Sequence, residues 1–360
     1  MKRIHIIPLD THCQFTEFGV MTESGRLNRR GRCPTTIPDL VAVLQAVPRP
    51  RHVVLEEGPL ADWLVRHLAL HADQVVACDP RRNHLIAKES DKDDPIDVEK
   101  LGHLYRGGYI RPVHHGDSLE RAIFKRHVAL YHDRVRNRVR QANRILAQAR
   151  GYGVFIREVD LAHKDRRAKW LQELPGHQVI RDDFRLLLEG YDLSATHVQR
   201  MRRILVRAAH KHEPIRRFAQ LPGVKAIRAS TFYAYLDTPW RFRNKSALWK
   251  YMGIGLERRH SGSGPELVFV PPPVVVSRPL KSMILGAAKS AIAQGNNPFA
   301  DQHQRWLNDG ITPRNARRNV ARSQAAVMWG MWKNGSAYRP EWVGVPAAVQ
   351  SDWTPSRLGG

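Results

Sequence analysis

The chain has 360 residues, 42% of them apolar, and a formal charge of +24. That is about two domains' worth of globular protein, which excludes a disordered basic tail. The charge makes a polyanion the expected partner, with a generic basic surface as the bland alternative.

The opening MKRIHIIPLD lacks the apolar core of a signal peptide. No apolar run approaches the roughly 20 residues of a membrane helix, so no membrane partner is expected and a cytosolic setting is. Cys13, Cys33 and Cys78 are too widely spaced for a zinc site and read as reduced thiols.

The first hundred residues alternate between strand and helix, which points to an α/β layer fold. RIHIIPLD and CQFTEFGVM read as strands, and the Arg-rich GRLNRRGRC as a hairpin turn. PDLVAVLQAV has helical spacing, HVVLEE is a β-branched run, PLADWLVRHLAL is helical and QVVACDP is a further strand. PIDVEKLGHLYRGG reads as a helix closed by Gly107 and Gly108.

From 118 the character changes. Phe124, Val128, Tyr131, Val135, Val139, Ala142, Leu146 and Ala149 recur at spacings of three and four, a coiled-coil-like stripe long enough to pair with a copy of itself. Arg134, Arg136, Arg140 and Arg144 decorate its other faces, and Arg202 and Arg203 lie in a second basic segment. These six read either as solvated helix surface or as phosphate contacts. A new unit opens near LPGVKAIRASTFYAYL. It runs through RRHSGSG, where Arg258 and Arg259 add positive charge, to helices at 280–294 and 312–335. The predicted organisation is 1–117 as a catalytic domain, 118–210 as a helical linker, 211–345 as a C-terminal domain, and 346–360 as a tail.

In so basic a chain, SDKDDPIDVEKL gathers five acids in twelve positions. Asp94 before Pro95 suits an N-cap, and Asp97 suits the first helical turn, so capping alone could explain both. The helical stripe of Val98, Leu101, Leu104 and Tyr105, however, is expected to carry Asp97 toward the protein, where an unpaired carboxylate costs several kcal/mol. Asp10 and Glu56 each end a predicted strand, and strand carboxyl ends converge on one edge of an open α/β sheet. Four hard oxygen donors suit Mg2+ or Mn2+, and such ions activate phosphodiester cleavage. Glu57 competes with Glu56; strand alternation lets only one face the site.

These residues resemble a known family. Asp10-Thr-His after a strand, Glu56-Glu-Gly-Pro after a strand and Asp94-Pro-Ile-Asp97 opening a helix are similar to the DEDD transposases of bacterial insertion sequences, whose relatives include the Piv invertase. LPGV at 221, RFRNKSALWKYMGI at 241, the SG at 261, NPF at 297 and YRP at 338 resemble that family's C-terminal domain. The resemblance implies an RNase H-like, RuvC-like N-terminal domain, a long helical or coiled-coil linker and a mainly helical transposase domain. It implies an RNA-guided recombinase in a bacterial nucleoid setting, with a noncoding bridge RNA, donor and target DNA, and a dimer or tetramer. Asp10, Glu56, Asp94 and Asp97 would hold the metal, and Ser261 would be the nucleophile. From its loop alone, Ser261 reads as a turn residue. Lys225 and the stretch PPPVVVSRPLKS depart from the family pattern.

Two other functions compete. A structure-specific nuclease akin to a junction resolvase would use the acids without a serine step. A binding protein without catalysis would use them as caps.

Overall fold

The computed structural model describes residues 3–80, 94–116, 118–255, 257–259, 268–270 and 277–343, with the side chains of 94–96, 257–259, 268–270 and 342 outside that description. The chain divides into two compact units, Met1–Leu119 and Glu120–Gly360.

The first unit is built on β1 (His5–Thr11), β2 (Phe15–Thr22), β3 (Leu27–Pro34), β4 (Arg51–Glu56), β5 (Gln74–Cys78) and β6 (Pro112–Val113). Among the described residues these form one sheet in the order β3-β2-β1-β4-β5-β6. β1, β4 and β5 run parallel, while β2, β3 and β6 pair antiparallel to their neighbours. The Arg-rich stretch predicted as a turn is therefore an edge strand. The turn itself is confined to the residues around Gly25, at φ +90. β3 tolerates its arginines because an edge strand keeps one side open to water.

Helices α1 (Ile37–Gln45) and α2 (Ala61–Leu68) cover one face of the sheet. Leu40, Leu44, Leu64 and Leu68 there meet Ile7, Leu9, Val53 and Leu55 in one core. Helix α3 (Asp94–Arg106) covers the opposite face, where Leu101 joins Ile6, Met21, Val54 and Cys78. Burying each of these large apolar side chains contributes roughly 1.5–3 kcal/mol.

The second unit opens with α4 (Leu119–Gly151), followed by the short α5 (Glu158–Leu161) and α6 (Lys164–Gln172), and then α7 (Gln178–Ala209). α4 and α7 form an antiparallel hairpin. At its tip Ala142, Ile145 and Ala149 pack with Phe184, Leu188 and Tyr191; at its base Phe124 and Val128 share a core with Leu205 and Ala209. The apolar stripe expected to pair with another copy is thus largely consumed inside the chain. Ile145 takes the buried place predicted for Leu146, and Val139 stays exposed. From Glu120 onward these helices fall within the second unit.

The remaining elements are α8 (Glu213–Phe218), α9 (Ala226–Leu236), α10 (Lys245–Tyr251), β7 (Glu257–Arg259), β8 (Val268–Val270), α11 (Arg278–Gln294), α12 (Pro298–Asn308) and α13 (Pro313–Asn334). Phe218, Phe232, Ile284, Phe299 and Met328 fill their common core. Among the described residues no helix is long and apolar enough to cross a membrane.

Candidate functional site

Register places the first two acids. β1 and β4 are parallel with Leu9 beside Leu55, so Asp10 and Glu56 follow side by side at the carboxyl ends of adjacent strands. Alternation places them on one face: Ile7, Leu9, Val53 and Leu55 point to α1 and α2, whereas Ile6 and Val54 point to α3. Asp10 and Glu56 are in phase with the second set. Glu57 is in phase with the first, and its Oε2 lies 2.7 Å from His115 Nε2. His115 Nδ1 is 3.6 Å from Asp62, which also pairs with Arg66 at 2.7 Å. Burial pushes the Asp62 carboxyl up, but the hydrogen bonds and charges of Arg66 and His115 leave it below the usual carboxylate range. Glu57 thus belongs to a structural network behind the sheet.

Helix α3 runs back along β1. Val98 lies against Gly19, Gly102 lies against Pro8 and Met21, and the Tyr105 hydroxyl bonds His52 Nδ1 and Gln74 at the amino ends of β4 and β5. The amino end of α3 therefore lies toward the edge that carries Asp10 and Glu56. Small residues make this approach possible: a Cβ on Gly19 would fall 3.0 Å from Val98, and one on Gly102 would fall 2.9 Å from Met21.

Asp97 sits at that end, but it is exposed, contrary to the expectation that it points into the protein. Val98 and Leu101 take the buried side, and one residue of helix is a turn of about 100°. A desolvation penalty consequently gives Asp97 no need of a cation. What Asp97 keeps is its place in the first turn of α3, toward the edge that carries Asp10 and Glu56. Asp94 begins the same helix, with its side chain outside the described residues.

Around Asp10 the chemistry is polar. His12 Nε2 is 3.0 Å from Asp10 Oδ2, and the His12 ring leans on Phe15. Glu17 pairs with Asp10 across β1 and β2, in phase with it, and only 9% of it is exposed. Sequence reasoning missed Glu17. Arg32 donates to it from Nε at 2.9 Å and from Nη2 at 2.5 Å, which satisfies Glu17 within the fold. The donors at this edge are hard carboxylate oxygens, the type that fits Mg2+ or Mn2+. Among the described residues, no group of three or more His, Cys, Asp or Glu is gathered tightly enough to hold an ion.

In the second unit, Arg136, Arg140 and Arg144 step along α4 at intervals of four and are exposed, as are Arg202 and Arg203 on α7; Arg134 is half-buried. Arg136 lies 3.3 Å from Asp133.

The LPG loop joins α8 to α9. Gly223 has φ +75, its N–H donates to Gln294 at 3.2 Å, and its carbonyl accepts from Arg228 at 2.5 Å. Gln324 Nε2 donates to Pro222 O at 2.9 Å. The loop is thereby tied to α9, α11 and α13. Further on, Asn244 caps α10, and Asn297 caps α12 by accepting from Phe299 and Ala300 N–H groups. β7 and β8 form a hairpin with Arg259 paired to Val268. Ser261, between those strands in sequence, lies outside the described residues, as do the side chains of Arg258 and Arg259.

No curated protein matches the chain. Residues 215–304, from α8 into α12, match the family model described as Transposase IS116/IS110/IS902 family. That segment holds the LPG loop, the capped α10 and the β7–β8 hairpin, and the match supports a transposase of the IS110 family.

Proposed function

We propose that this protein is an RNA-guided DNA transposase that cleaves and rejoins DNA with a carboxylate-held cation and a serine nucleophile. The observation that carries the reading is the family match over residues 215–304, which spans the position of Ser261. The first unit supports it: a mixed sheet ordered 3-2-1-4-5-6, with β2 antiparallel, suits an RNase H-like domain, and Asp10 and Glu56 stand together on its carboxyl edge.

Asp10, Glu56, Asp94 and Asp97 would hold Mg2+, with Mn2+ as a substitute. When bound, the ion supplies Lewis-acid stabilisation of charge on a scissile phosphate. His12 orients Asp10 through its 3.0 Å contact. Ser261 Oγ attacks phosphorus; one phosphodiester bond breaks as the serine ester forms. The serine proton is released and the leaving deoxyribose oxygen takes one up. The ester conserves the bond energy for rejoining.

The exposed arginines of α4 and α7 suit the phosphates of a guide RNA and of DNA. Association of two or four copies suits the joining of several DNA ends. Exposed Val179, Leu186 and Leu193, spaced by seven along α7, offer an apolar seam.

The test is Ser261→Ala in the full chain with its copurifying RNA. It should abolish a covalent protein–DNA adduct and strand exchange while RNA and DNA binding persist. Wild-type cleavage to free ends with no adduct would favour a metal-dependent nuclease instead.

A further inference from the structure

Helix α13 begins with its charges the wrong way round. Helix amino termini favour acids, because the dipole is positive there. α13 has none in its first turn and instead carries Arg314, Arg317, Arg318 and Arg322 within nine positions. Arg314, Arg318 and Arg322 step by four residues, about 6 Å of rise each, so they form a ridge along the helix. Arg314 and Arg317 are exposed, while Arg318 and Arg322 are partly buried. The core side is taken by Ala316, Val320 and Gln324.

Several arginines elsewhere in this unit meet acids: Arg167 pairs with Asp192 at 2.6 Å and Arg217 with Glu213 at 2.5 Å. Among the described residues, none of the four on α13 pairs with a carboxylate. Arg322 is anchored instead by uncharged acceptors, Ile254 O at 2.6 Å and Asn319 Oδ1 at 2.5 Å. Burial and then the neighbouring guanidiniums hold both Arg318 and Arg322 below the usual arginine range. Four like charges therefore sit together with no carboxylate among the described residues to offset them.

We infer that this ridge docks the phosphate backbone of duplex DNA. Phosphates supply the missing counter-charge at several points along a line, and guanidiniums bind them through paired N–H groups. A duplex is favoured over a single strand because these turns offer no exposed aromatic ring for stacking bases. The exposed Trp240 lies at the other end of α13, under Lys333. Ile254, which anchors Arg322, stands three residues before β7. The inference rests on the reading of the chain as a DNA transposase and adds a contact surface to it.

The test measures affinity of the full chain for a labelled duplex of about 20 base pairs across roughly 50–200 mM salt. The triple variant R314Q/R317Q/R318Q should show a plot of log affinity against log salt shallower by about 2 to 3, from about 0.9 per phosphate contact. Its melting temperature without DNA should equal or exceed wild type, because like-charge repulsion has been removed. The triple lysine variant should keep most of the slope, which separates charge from fold. A glutamine variant that melts like wild type and keeps the full slope overturns the ridge alone. A wild type that binds no duplex overturns the ridge and the transposase reading together. A slope change seen only with an RNA duplex of the same length overturns the assignment to DNA.

Discussion

A Cβ placed on Gly223 would lie 2.2 Å from the carbonyl oxygen of Ala287. The loop between α8 and α9 thus meets the backbone of α11 with no room for a side chain, and at a positive φ. Gly223→Ala should cost about 3 kcal/mol or more, from the left-handed backbone and from overpacking against atoms that cannot rotate away. Chemical denaturation should show the loss in the second unit, while the cooperative transition of the first unit stays put.

Carboxylate substitutions at the sheet edge should separate chemistry from binding. Asp10→Asn and Asp97→Asn should each remove DNA cleavage and leave RNA affinity within about twofold, since neither residue lies in a core cluster. Mg2+ should raise the melting temperature of the wild type, because a ligand that binds only the folded state stabilises it. The rise should shrink in both variants, and an unchanged rise would remove these residues from the cation site.

His132 gives stability a pH dependence of known sign. Its Nε2 lies 2.9 Å from Thr231 Oγ1, whose own proton goes to Ile227 O, so the neutral ring donates. Burial first, and Arg136 second, lower its pKa. The unfolded chain then binds the proton more readily than the folded one. This contribution is complete above the unfolded histidine value of about 6.5 and is lost as pH falls below it. His132→Gln keeps a donor for Thr231 and should flatten the decline of melting temperature between about pH 6.5 and 5.

The two apolar faces of the helical hairpin should respond in opposite ways. Phe124 is buried in the core, so Phe124→Ala should destabilise by about 3–5 kcal/mol. Leu186 is 66% exposed on α7, so Leu186→Asp should leave the monomer's stability nearly unchanged. It should lower the mass seen by light scattering of the RNA-bound protein. Unaltered mass would exclude the α7 seam.

The alternation of strand and helix in the first hundred residues was legible because each β-branched run had its own period and its own Pro or Gly boundary. The placement of Asp10 and Glu56 at strand ends followed from the same runs. β3 was misread because an edge strand need bury little, and its arginines mimic a loop. Asp97 was misjudged because neighbouring residues on a helix differ by about 100°, so Val98 can be buried while Asp97 is not. The α4 stripe showed that a partner helix exists, yet periodicity cannot say whether that partner belongs to the same chain; Leu205 and Phe184 supply it. Glu17 escaped notice because its role depends on a cross-strand neighbour, which no local pattern encodes.

The adjacent acids Glu56 and Glu57 point through opposite faces of the sheet, one toward α3 and one onto His115. A screen that scores only transposition would record both as essential and merge two unrelated failures. On the proposed function, losing Glu56 should leave a well-formed but chemically silent protein. Losing Glu57 unclamps His115 from the end of β4 and softens the frame on which its neighbour stands. Heat resistance read beside activity tells the two apart: Glu56→Gln melts where the wild type does, and Glu57→Gln melts earlier.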